Sequence, residues 1–290
     1  MLKRLWAAVL TAGLLAGGVG AADEAITIKL KKAGKGDVVK ESKTEDTDTT
    51  VNVTAGGAAQ PEQKEKGSTK MAYTEEVLER GEKDPKPTKA KRTYETAELV
   101  KGGEKVDLGL KGKTVTIEKG KDKYTFTVDG GKLSKDAAEL LDKEFNKKED
   151  GDMEELMLPK KPVKVGDTWK VDVKAVEKMF GEELKVDADA AKVSGKLVKV
   201  YDKDKAKWGV IEYTIELPIA SINLMGQSVG TTDGSVLKLT ITMDGCVDGT
   251  QYGGTSSGKM EGNVGLKVPM AEVAIKTSGT MGSKSEMVKK

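Results

Sequence analysis

The chain has 290 residues, 37% of them hydrophobic, with 49 Lys+Arg against 47 Asp+Glu, no histidine and a single cysteine, Cys246. Without histidine, Ser-His-Asp and Cys-His nucleophile sites are excluded and the commonest general base and metal ligand is missing. One cysteine excludes an internal disulfide. Lysine and glutamate are interspersed with no block of one sign, so no nucleic-acid partner is expected.

Residues 1–22 read as an export signal. Lys3 and Arg4 form a positive start, Leu5 to Leu15 an apolar core, and Gly17, Gly18, Val19, Gly20, Ala21 and Ala22 a small-residue exit. Cleavage is expected after Ala22, or after Ala21. A retained anchor would need ~20 consecutive apolar residues. Loss of Lys3 and Arg4 takes the basic count from 49 to 47, equal to the acidic count. With Cys246 far from the cleavage point, a lipid-modified start is excluded, and the mature chain is expected in the periplasm or outside the cell, with no membrane span.

The mature part reads as two halves, residues 23–150 and 151–290. Ile26, Ile28 and Leu30 alternate with polar residues, which predicts a strand. Residues 35–54 predict two polar, Thr-rich strands, 55–67 a loop, and 68–80 with 88–100 a hairpin around Asp84-Pro85-Lys86-Pro87. The clearest hairpin places Val115 and Ile117 on one face opposite Tyr124, Phe126 and Val128, with Gly120 at the turn. Ser134 then predicts an N-cap, with Asp136 in the first turn and Ala137, Leu140, Leu141 and Phe145 as one apolar stripe facing a sheet. Charged, Gly-broken residues 147–155 predict the boundary.

The second half opens with Trp169, Val171 and Val173 on one face, a short helix around Lys174 to Phe180 stopped by Gly181, and an antiparallel meander from residue 190. Its inward sets are Ile211, Tyr213, Ile215 and Leu217; Leu237, Leu239, Ile241 and Met243; and Met260, Val264, Leu266, Val268 and Met270, broken by a Gly-rich turn at 249–258. Val273 and Ile275 begin a last strand. The expected fold is mainly β (α+β): antiparallel meander sheets in two curved, half-barrel-like halves, with one or two covering helices.

The search for chemistry narrows by exclusion. Asp46/Asp48, Asp187/Asp189 and Asp202/Asp204 lack the spacing of a calcium loop and read as solvated turns and faces. The glycine pairs lack the phosphate-cradling pattern, and Asn52-Val53-Thr54 carries little weight as a glycosylation sequon in a bacterial-type chain. Cys246 has no histidine to activate it. Met225, Met243, Met260 and Met270 suit a core or an adaptable cavity equally. Trp169 and Trp208, the tryptophans outside the leader, read as core rather than as sugar platforms.

The segment Leu158-Pro159, then Pro162-Val163-Lys164-Val165-Gly166-Asp167-Thr168-Trp169, resembles an element of secreted bacterial β-rich proteins in a domain-of-unknown-function family. That resemblance implies two β-rich halves and a plan like the half-barrel of periplasmic lipoprotein carriers. It implies no ligand residues. The element also has a purely structural reading, since Gly-Asp turns the chain and Trp169 can plug a sheet.

The expected function is a non-catalytic envelope protein, either structural or binding a lipid, another apolar ligand or an envelope protein, with no cofactor. An apolar concavity would be lined by Phe126, Leu141, Ile215, Leu239 and Met243. The alternative is a secreted hydrolase using a carboxylate pair, which needs converging acids in a cleft.

Overall fold

The computed structural model describes residues 24–55, 57–82, 84–146, 156–180, 184–224, 226–269 and 271–288. The export signal, the 147–155 boundary, Gly181, Met225 and Met270 lie outside the described residues. The protein is mainly β, built on one large, curled antiparallel sheet that is not closed into a barrel.

Strands β1 (Val38–Ala55), β2 (Ala58–Ala59), β3 (Gln63–Glu79), β4 (Lys89–Lys101), β5 (Glu104–Asp107), β6 (Thr114–Lys119) and β7 (Tyr124–Val128) precede helix α1 (Lys135–Phe145). Then come β8 (Thr168–Lys170), α2 (Val173–Phe180), β9 (Leu184–Val186), β10 (Lys192–Lys203), β11 (Ala206–Leu224), β12 (Gln227–Gly230), β13 (Val236–Cys246), β14 (Gly253–Val268) and β15 (Ala271–Met287). The order across the sheet is β7-β6-β4-β3-β1-β15-β14-β13-β11-β10-β8. The first and last long strands, β1 and β15, therefore pair and join the strands before α1 to those after it in one surface.

Three expectations are corrected. Residues 35–54 give one strand of 18 residues rather than two, because nothing in Val38–Ala55 breaks an extended chain: no Gly, no Pro. The loop expected at 55–67 is shorter, since β2 pairs back on β1 and β3 already starts at Gln63. Ile26 to Leu30 form no ladder; isolated bridges tie Ile26 to Val163 and Lys29 to Asp248. This segment instead lays Ile28 into a core shared with Val163, Val176 and Leu197.

In antiparallel register, residues directly opposite share a face. The inward face bears two cores. One gathers Tyr73, Tyr94, Leu108, Leu110, Val115 and Ile117 under Ala137, Leu141 and Phe145 of α1. The other gathers Val176 of α2 with Leu197, Ile211, Ile215, Leu217, Leu237 and Leu239. The expected cap is present: Ser134 Oγ accepts from the Ala137 amide at 3.2 Å. Past the end of α1, the Asn146 side chain bonds both the N–H (2.7 Å) and the carbonyl (3.1 Å) of Tyr124, closing part of the outer edge of β7.

Between the cores the sheet is thin. There, bulky and minimal residues face each other across β14 and β15: Gly258 opposite Met281, Met260 opposite Gly279, Gly262 opposite Thr277. A Cβ on Gly258 would lie 2.9 Å from Met281 Cγ, and one on Gly262 would lie 2.6 Å from Thr277 Cγ2. Each long side chain thus lies flat on its partner's glycine. On the other face the register is fixed by charge, with Lys192, Glu216, Lys238 and Glu261 alternating in sign across four strands.

Candidate functional site

Two places combine polar groups from several strands. The first is a buried ion cluster under the C-terminal end of α1. Alternation along β4 puts Arg92 inward between Ala90 and Tyr94, and register places Glu75 of β3 beside it and Tyr73 opposite Glu41 of β1. Arg92 is 4% exposed and Glu75 7%. The guanidinium donates to Glu75 through Nε (2.9 Å) and contacts it through Nη2 (2.8 Å), while Nη1 donates to Glu144 of α1 at 2.9 Å. Its Cζ sits 3.9 Å from the centroid of the Tyr73 ring. Glu41 accepts from the hydroxyls of Tyr73 (2.6 Å) and Tyr252 (2.8 Å), and Lys43 lies 3.5 Å from Glu41 and 3.3 Å from Glu144.

Burial alone would push the Glu144 carboxyl up, but the charges of Arg92 and Lys43 and the hydrogen bonds from both outweigh it and hold that group at about 2. Glu41 is likewise pushed up by burial, yet Lys43 and the two tyrosine hydroxyls hold it below the usual carboxylate range. Both acids are therefore anions at neutral pH. A carboxylate-pair hydrolase needs one acid that keeps its proton near neutrality, and neither of these does. The cluster acts chemically as a clamp that ties α1 to three strands. Sequence reasoning missed it, although a signal was there: Arg80 and Arg92 are the arginines that follow Arg4 in a chain that otherwise uses lysine.

The second place is an open trough of about 670 Å³ on the polar face of the thin stretch. One wall is the register row Val100, Ser68, Asp46, Thr280 and Lys259; the other is Lys66, Asp48, Ser278 and Glu261. Between them run the backbones of Gly67, Thr47, Gly279 and Met260. At the β3 end, the turn after β4 closes in as the Gly103 N–H donates to the Lys66 carbonyl at 2.9 Å. Lys66 and Asp48 pair loosely at 3.4 Å, with side chains 71% and 47% exposed. Such a trough offers hydroxyls, carboxylates and ammonium groups across five strands, set among the carbon of Val100, Met260 and the glycine backbones.

The five residues expected to line one apolar concavity are divided between the cores. Leu141 is fully buried and Phe126 half-buried in the first; Ile215 and Leu239 are buried and Met243 half-buried in the second. The structure does not bring them together. Of the acidic pairs, Asp187 caps a turn by accepting from the amides of Asp189 and Ala190, and Asp204 sits with Lys205 in a tight hairpin at positive φ. Cys246 is 2% exposed, its thiol donating to Asp248 at 3.1 Å. Among the described residues, no group of three or more Cys, Asp or Glu side chains is placed to hold a metal ion.

The Pro-Val-x-Val-Gly-Asp-x-Trp element turns the chain and anchors Trp169 on the sheet. Gly166 turns at φ +94°, Asp167 Oδ2 accepts from the Lys164 amide at 2.9 Å, and the Gly166 N–H reaches the Leu197 carbonyl. Trp169 donates its Nε1–H to the Met157 carbonyl at 2.9 Å and meets Tyr213 edge-on. Its ring lies against Gly195 of β10, where a Cβ would come within 2.4 Å.

No family model and no curated protein matches the chain. Among solved structures, Pseudomonas aeruginosa OpdQ superposes with a TM-score of 0.22 and 7% identity, over 87% of this chain and 97% of that one. An outer membrane channel from Pseudomonas putida F1 gives 0.18 and 9%, over 88% and 97%. Superpositions at that level carry no argument about fold or function. No helix among the described residues is long and apolar enough to cross a membrane.

Proposed function

We propose that this is an exported, non-catalytic protein of a bacterial envelope that serves as a scaffold, and that an envelope protein engages the thin stretch of sheet between the two cores. The observation that carries this reading is the trough itself, where hydroxyl, carboxylate and ammonium groups of five strands line an open surface to which neither α1 nor α2 contributes a residue. Export rests on residues 1–22, with Asp23 as the expected first residue of the mature chain. Carriage of an apolar ligand is less well supported, because Leu141, Ile215 and Leu239 would have to leave packed cores to make room for it.

The test uses protein purified from its native envelope. Mass spectrometry of an organic extract is expected to find no stoichiometric lipid; finding one would revive carriage. A photo-crosslinker placed at Ser278 or Thr280 is expected to capture one protein in the intact envelope, and the same probe at Lys111, away from the trough, is expected not to. Equal labelling from both positions would end the scaffold reading.

A further inference from the structure

We infer that β15 is an exchangeable strand, which a second copy of this chain accepts in place of its own. β15 lies at the centre of the sheet, between β1 and β14, yet it belongs to neither core. None of its 17 side chains is fully buried. Val273 and Ile275 lean on the edge of the second core and Met287 on a small cluster with Val39 and Val77, while Thr277 and Ser283 meet hydroxyls on the flanking strands and Lys284 pairs with Glu286 along β15 itself. What holds the strand is backbone pairing along its whole length on both sides. All of those partners exist unchanged in another copy.

The connection favours exchange. β14 ends at Val268 and β15 begins at Ala271, which leaves Pro269 and Met270 between them. Proline fixes its own φ near −65° and keeps the preceding residue extended, so Val268-Pro269 is already suited to run straight on into a neighbour. Short hinges of this kind lower the barrier between folding back and swapping. Exchange keeps every strand pair, closes with two-fold symmetry and replaces only the turn.

The full chain provides the test. Thr49 and Thr277 face each other across β1 and β15 with hydroxyls 3.2 Å apart, so T49C/T277C can be crosslinked by oxidation, while Cys246 stays buried. After refolding at high protein concentration, light scattering is expected to find a dimer, and a non-reducing denaturing gel to find that dimer covalent. Two glycines inserted after Pro269 are expected to lower the covalent dimer several-fold. A monomer at every concentration, a dimer whose crosslinks are all internal, or a dimer indifferent to the hinge would each overturn the inference. Should the cysteine variant not fold, wild-type dimers carrying two mass labels decide it: exchanged dimers, mixed without unfolding, keep their labels apart, whereas surface-docked dimers scramble.

Discussion

β3 passes through two environments in one strand. From Met71 onward its inward residues Met71, Tyr73, Glu75 and Val77 are all buried, whereas Gln63 to Lys66 are exposed on both faces. In β1, its neighbour, Val39 is buried and Lys43 to Asp46 are exposed on both faces. The buried segment is held by apolar burial and by the Arg92 cluster, both of which depend on α1 arriving from 50 or more residues later in the chain. The open segment is held by long backbone ladders, by charge rows and by side chains lying flat on glycines. One strand can therefore be specified twice, once by what covers it and once by what flanks it.

Arg92→Ala is the severest way to break this comparison. It leaves Glu75 buried without its cation and frees Glu144, and loss of one partner from a buried pair costs about 3–5 kcal/mol. Urea denaturation followed at the buried end should record that loss, and near-neutrality there would mean the clamp contributes nothing. Gly195→Ala comes next. The new methyl would meet the Trp169 ring at 2.4 Å, and overpacking of this kind costs about 1–3 kcal/mol. Gly131→Ala, with open space around it, is the control and should shift the midpoint little.

Much of the packed region was legible in the sequence. The 114–128 hairpin, the Ser134 cap, the α1 stripe and the meander from residue 190 all follow from period and turn chemistry, and all are present. The open stretch was not, for a physical reason. Period-2 alternation reports a difference between two faces, and Thr-, Lys- and Gly-rich segments such as 44–54 and 63–69 have no dry face to mark. The same blindness hid the pairing of β1 with β15, which joins residues more than 200 apart and leaves no local trace. The Arg92 cluster was hidden because its acids come from three separate elements.

Acid should separate the two segments of β1. Glu144 is held at about 2 in the folded protein against an ordinary 4.5, so its contribution is fully present above pH 4.5 and is lost as pH falls toward 2. Hydrogen exchange around Tyr73, Arg92 and α1 is expected to quicken over that range before it does at 44–54. The reverse order would show that the cluster is not what fixes the buried end. Ser134→Ala tests the same end more gently, with a loss of about 1 kcal/mol expected from one amide left uncapped.

The smallest expected effect is the most informative about the open segment. Lys66→Ala removes half of an exposed ion pair, and exposed pairs are typically worth ~0–1 kcal/mol because water screens them and holding two long side chains together offsets the gain. The β1–β3 ladder and the Gly103 N–H bond to the Lys66 carbonyl do not involve the Lys66 side chain, so amide protection from 44 to 54 should not change. A loss well above that range would mean that side-chain charge, not the ladder, holds the thin sheet together, and the contrast with the buried end would collapse. If stability is kept, the same variant removes a trough contact from a folded protein. Any loss of crosslinking from Ser278 can then be assigned to the surface itself.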